Sequence, residues 1–215
     1  MAFKDIIGDN KIYAIIAISI IILVILTVFF SSNQLKEAII QDEILGIGWI
    51  EDIKEREAGS KFFGLEKWVS YSYNNYDYKF PAYVTVTSIK TLFMMGEEEL
   101  NEKTIDTIKK ASNYGIFINK STKISGIRAL RNGHKTAYNI FSGNNSEGEE
   151  IKIIGESWNC GISGTSVICI GVAQITNNSE MNYKYWKNII RDKIGTFGIE
   201  EYKNEDGLIF NVKCH

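Results

Sequence analysis

From Ile12 to Phe30 the chain reads IYAIIAISIIILVILTVFF without a charge. As a helix rising ~1.5 Å per residue this run is roughly 28 Å long, close to the ~30 Å hydrocarbon core of a bilayer. Burying a helix that is apolar on every face inside a protein core takes a much larger chain than this one. A cleaved signal peptide has a shorter apolar core followed by small residues, whereas this run ends in Val28, Phe29 and Phe30. The sequence therefore predicts a retained transmembrane helix. Lys4 and Lys11 on one side outnumber Lys36 on the other, which favours an N-terminus inside and a domain outside. The expected division is a cytoplasmic stretch over 1–11, a transmembrane helix over 12–30, a juxtamembrane stalk and linker over 31–58, and an extracytoplasmic domain over 59–215. Trp49 is the expected interfacial anchor, the charge run Glu51 to Glu57 a solvated linker, and Gly59-Ser60 the start of the folded domain.

Beyond that linker the chain is sized for one domain with a real core. A formal net charge of -2 with 23% charged residues gives no field for holding a polyanion, so nucleic acid is not an expected partner. Alternation over Ala82 to Lys90 marks a strand, as does the aromatic-rich Lys67 to Tyr73 before it. A helix comes next, with Glu97, Glu98 and Glu99 in its first turn, Leu100, Ile105, Ile108 and Ala111 as its buried stripe, and Lys109 and Lys110 closing it near Gly115. Asn132-Gly133 predicts a two-residue type I′ hairpin turn between KISGIRAL and HKTAYNI. Further strands are expected over Glu150 to Trp158, Ser166 to Thr176 and Leu208 to Lys213. A second helix starts near Asn182 and places Trp186, Ile189, Ile190, Ile194 and Phe197 on one side. Strands in hairpins with two helices between them imply the α+β class, an antiparallel sheet flanked by two helices behind a transmembrane segment.

The sharpest local expectation concerns Cys160 and Cys169. If Gly164-Thr165 forms a two-residue turn, the two cysteines fall opposite each other at a non-hydrogen-bonded position, where opposed Cα atoms sit ~4.5 Å apart and a cross-strand disulfide is feasible. The alternative is a pair of reduced cysteines filling small core gaps. Acceptor sequences for glycosylation stand at Asn119, Asn144 and Asn177, with unmodified loop asparagines as the alternative.

Catalytic signatures are missing. His134 and His215 supply the chain's only imidazoles, so a Ser-His or Cys-His pair lacks a well-held base. Gly161-Ile162-Ser163-Gly164 is one residue short of the nucleophile elbow and joins two strands, and no zinc-type C-x-x-C or phosphate-binding loop occurs. Met94-Met95 with His134, Cys214 and His215 is a conceivable soft-metal set, against core methionines and an exposed histidine as the plainer reading. No catalytic residue, cofactor or metal site is assigned. The aromatic run Trp68, Tyr71, Tyr73, Tyr76, Tyr78 and Phe80 suits partner contact if exposed and sheet packing if not.

The segments PAYVTVTSIKTLFMMGEEEL, GHKTAYNIF and IKIIGESWNCGISGTSVICIGVAQIT resemble a family of uncharacterised single-pass membrane proteins from archaea, the Trp-x-Cys hairpin being the most specific part. The resemblance implies an extracytoplasmic domain and carries no activity, cofactor or catalytic residue. In element order the chain is also similar to the PsbP-like fold, an antiparallel sheet flanked by helices. The function expected from these readings is a membrane-anchored, non-enzymatic domain that contacts lipid through its N-terminal helix and binds a protein or envelope component. The first alternative is an accessory subunit of an integral membrane complex, with Ser19 and Thr27 hydrogen-bonding to neighbouring helices. The second is an enzyme without a recognisable motif.

Overall fold

The computed structural model describes residues 16–23, 34–45, 48–75, 81–175, 184–190 and 207–215. The chain separates into two units, Met1–Gln34 and Leu35–His215. In the first, residues 16–23 are helical and exposed. Among the described residues no helix is long and apolar enough to cross a membrane. This corrects the transmembrane helix expected over 12–30, and with it the single-pass anchor, the orientation and the extracytoplasmic location. The remainder of that run lies outside the described residues.

Among the described residues the second unit is dominated by eight strands: β1 (Trp49–Glu51), β2 (Glu57–Lys61), β3 (Glu66–Asn75), β4 (Ala82–Lys90), β5 (Phe117–Ala129), β6 (Lys135–Asn144), β7 (Glu150–Cys160) and β8 (Thr165–Ile175). Its α-helices are α1 (Asp42–Leu45), α2 (Glu97–Lys110) and α3 (Lys184–Ile190). Every pairing among these strands is antiparallel, in the order β1-β3-β4-β8-β7-β6-β5, with β2 sharing the outer edge of β3 with β1. The architecture is thus mostly one antiparallel sheet with few helices, which corrects the α+β class with its transmembrane helix. The expected closing strand over Leu208 to Lys213 is instead a 3-10 turn, Ile209–Asn211, followed by a single bridge from Lys213 to Ile39.

Both faces of the sheet are covered, so the central β8 is buried at every position instead of alternating. On one face Leu100 and Ile108 of α2 pack against Phe141, Ile153, Ile168, Ile170 and Val172. On the other, Trp186 and Ile189 of α3 and Ile209 pack against Val84, Val86, Ile154, Trp158 and Val167. Close approach of the helices requires glycine on each face. A Cβ at Gly155 would lie 2.6 Å from Ile108 Cδ1, and one at Gly171 would lie 2.4 Å from Ile189 Cγ2.

The stretch expected to be stalk and linker belongs to the sheet unit, which begins at Leu35 and not at Gly59. Ala38, Ile40, Leu45 and Trp49 are buried in the core. Ala38 N–H donates to Ser88 Oγ at 2.7 Å and Ile40 N–H to Tyr73 Oη at 3.0 Å. Tyr71 and Tyr73 are buried, so those two rings of the aromatic run serve packing; Tyr76, Tyr78 and Phe80 lie outside the described residues.

Candidate metal centre

Two hairpin ends and the segment 207–215 meet at one point of the sheet. The β5–β6 connection closes with Leu130 N–H on the His134 carbonyl at 2.9 Å, leaving a three-residue loop, Arg131 to Gly133, in which only Gly133 has positive φ. This is a type I turn ending in a left-handed residue. It corrects the two-residue turn, which needs positive φ at Asn132 as well. His134 consequently sits at the start of the return strand. The β7–β8 connection is likewise longer than expected: Cys160 pairs with Thr165 across the four residues Gly161 to Gly164. Ser163 Oγ donates to the Cys160 carbonyl at 3.3 Å inside that loop.

The longer loop corrects the disulfide. Cys169 lies opposite Glu156, not Cys160, and both cysteines are free thiols. Cys169 is buried in the core, and burial holds its thiol well above the usual range. Cys160 is instead released toward Cys214. The segment carrying Cys214 is held by the same β5–β6 hairpin: Arg131 N–H donates to the Phe210 carbonyl at 3.2 Å and Asn132 Nδ2 to the Val212 carbonyl at 3.0 Å. Lys213 exchanges backbone hydrogen bonds of 2.9 and 3.0 Å with Ile39.

The result is a cluster of His134, Cys160, Cys214 and His215 whose donor atoms all lie within 4.8 Å of one another. Cys160 Sγ is 3.4 Å from His215 Nδ1, Cys214 Sγ is 3.2 Å from His134 Nε2, and Cys214 Sγ is 3.6 Å from His215 Nδ1. With Zn–S of ~2.3 Å and Zn–N of ~2.0–2.1 Å, a tetrahedral site has S···N edges of roughly 3.6 Å. These three S···N separations therefore match those of a Cys2His2 zinc site to within a few tenths of an ångström, and the other donor pairs lie within 4.8 Å. Cys214 and His215 also wall an open cavity of about 530 Å³, which gives an ion a way in.

The electrostatics prepare the ligands. Burial pushes the Cys160 thiol up, but hydrogen bonds from Ser163, Cys214 and His215 outweigh it and bring it down to about 7. Burial and the neighbouring Cys160 push Cys214 up to about 12. The pair thus holds one thiolate near neutral pH. His134 is held below its ordinary value of 6.5 by burial and by His215, which keeps it neutral as a metal ligand must be. The His134 ring stacks on Trp158, centroids 6.4 Å apart at 24°. The Trp158 indole N–H is buried with no hydrogen-bond partner, yet the indole favours the thiolate form of Cys214. A metal-bound thiolate is the acceptor that this N–H lacks, as in the outer shells that orient metal ligands.

The other sequence candidates fall elsewhere. Met95 packs on the opposite face with α2, and Met94 is exposed. Asn119 is exposed, its Oδ1 accepting from the N–H and Oγ of Ser121 at 3.1 and 2.7 Å. Asn144 is exposed and donates through Nδ2 to the Gly148 carbonyl at 3.0 Å, while Asn177 lies outside the described residues. The signal for the centre was compositional: it uses both histidines of the chain and two of its three cysteines. No family model, curated protein or solved structure matches the chain.

Proposed function

We propose that this domain is a non-enzymatic metal-holding module in which one zinc ion, bound by His134, Cys160, Cys214 and His215, clasps the segment 207–215 to the two hairpin ends. The observation that carries this reading is the closed set of four donors brought together from three separate parts of the chain. Four protein ligands leave no open coordination position, the arrangement of structural rather than catalytic zinc. Thiolate and imidazole donors in tetrahedral array favour zinc over calcium or magnesium, which take oxygen. Neither buried tyrosine of the aromatic run contributes a partner surface.

Titration of the purified full chain with cobalt(II) tests this. One equivalent should give the intense visible bands of tetrahedral cobalt with sulfur-to-metal charge transfer, and zinc should displace it. Cys160→Ser and Cys214→Ser should each weaken the charge-transfer band, while Cys169→Ser leaves it intact. Failure to bind cobalt or zinc, or a spectrum indifferent to Cys160 and Cys214, would overturn the assignment.

A further inference from the structure

A second site lies on the opposite face of the sheet, lined by residues of both α2 and β5. The pairing of β5 with β6 is interrupted between Asn119 and Ile124, so residues 120–123 bulge out of register. The bulge is a built feature: Thr122 Oγ1 donates to the Asn119 carbonyl at 2.7 Å, and Ser142 N–H donates to Thr122 Oγ1 at 2.8 Å. Bulges re-aim side chains, and this one carries Lys120 and Lys123 to the edge of a cavity of about 350 Å³. Ile105, Ile108, Ile118 and Phe141 line its interior. That volume falls within the ~300–1,000 Å³ usual for small-molecule pockets, which combine an apolar lining with a few placed polar groups.

The charge at the rim has one sign. Lys109 also lines the cavity and is bonded to Asp106 at 2.8 Å. Among the described residues neither Lys120 nor Lys123 is paired with a carboxylate. We propose that this cavity binds a single anionic amphiphile, a medium-chain fatty carboxylate, with its chain against Ile105, Ile108, Ile118 and Phe141 and its carboxylate at Lys120 and Lys123. The apolar lining selects the chain, and the two ammonium groups select the sign of the head. The site shares no residue with the metal centre.

Competition between dodecanoate, dodecanol and dodecyltrimethylammonium for a fluorescent fatty-acid probe on the full chain distinguishes these contributions. Dodecanoate should bind best and the cationic amphiphile worst. The double substitution Lys120→Glu with Lys123→Glu, at exposed positions, should weaken dodecanoate roughly tenfold or more and dodecanol little. If the lysine stems merely shelter Ile118 from water, the substitutions will lower the unfolding temperature without changing the order of the three amphiphiles, and the proposal fails. Equal binding of all three overturns it too. So does binding to anionic phospholipid vesicles without binding to monomeric dodecanoate.

Discussion

Glu156 is fully buried in the middle of the sheet, and Arg128 is its counterion. The carboxylate accepts from Arg128 Nε at 2.8 Å, from Arg128 Nη2, and from Thr136 Oγ1 at 2.5 Å. The remaining guanidinium nitrogen, Nη1, donates to the carbonyl of Ile190, the last described residue of α3. Arg128→Met keeps most of the aliphatic stem and removes the charge with three hydrogen bonds. It leaves a buried carboxylate with a single hydroxyl partner. Breaking one side of such a pair costs ~3–5 kcal/mol, a large share of the ~5–15 kcal/mol that holds a typical domain together. Adding Glu156→Met removes the orphaned charge, so the double variant should recover much of that loss. Urea unfolding followed by tryptophan fluorescence, with chelator present so that metal linkage does not enter, should show a lower midpoint at unchanged slope for the single variant. A cost below ~1 kcal/mol for Arg128→Met, or a double variant no more stable than the single one, would refute the idea that this pair pins α3 to the sheet.

At zinc concentrations 100-fold above its dissociation constant the wild-type chain should gain ~2.7 kcal/mol, or roughly 5–10 °C in unfolding temperature at this size; calorimetry of His215→Ala should show little of that gain. Trp158→Phe, which deletes the orphaned N–H and keeps an aromatic ring against His134, should weaken zinc about tenfold in a competition titration against a chromophoric chelator. Without metal, stability should depend on pH through the thiol pair. From pH ~7 to ~9 the unfolded chain, whose thiols titrate near 9.0, holds the proton that Cys160 has lost in the fold, so stability rises with pH. Above ~9 the fold retains the Cys214 proton that the unfolded chain releases, so stability falls, and a chemical-denaturation series that shows no maximum near pH 9 counts against this pairing. Gly155→Val should cost ~1–3 kcal/mol by pressing on Ile108 and Thr104 of α2, measured as a shift in urea midpoint.

Most of the sheet is legible in the sequence. The strand read over Ala82 to Lys90 has those bounds in the structure, and the helix marked by the acidic triplet runs from Glu97 to Lys110. Both arise from local periodicity and end charges. β1 and β2 are hidden in the sequence because they are short edge strands in a charged stretch, where pairing to β3 overrides composition. The two hairpin loops show a subtler limit. Glycine identifies that a turn occurs, yet Asn132-Gly133 and Gly164-Thr165 fit several loop lengths, and the length decides what the next residues face. One added residue at the first loop and two at the second change the partners of His134 and Cys160. The full ligand set is unreadable for that reason: His134, Cys214 and His215 can be grouped as a soft-metal set from the sequence, but the ligands share no motif spacing and the shorter turn directs Cys160 to Cys169. The acidic and apolar marks of α2 are plain, but the bulge that brings Lys120 and Lys123 to its side depends on pairing with β6.

The order of strands in the sheet sets a schedule for synthesis. β4 lies against β8, and the strands between them in sequence, β5, β6 and β7, extend the sheet on the far side of β8. A growing chain can form β1 to β4 early, but β4 then presents Val84 and Val86 on an edge with no neighbour until β8 leaves the ribosome. Such long-range closure is slow, and unpaired strand edges are where partly folded chains stick to each other. The protein is therefore most exposed to aggregation before residues 165–175 have emerged, and a chain truncated ahead of Thr165 should need a chaperone far more than the full-length product does.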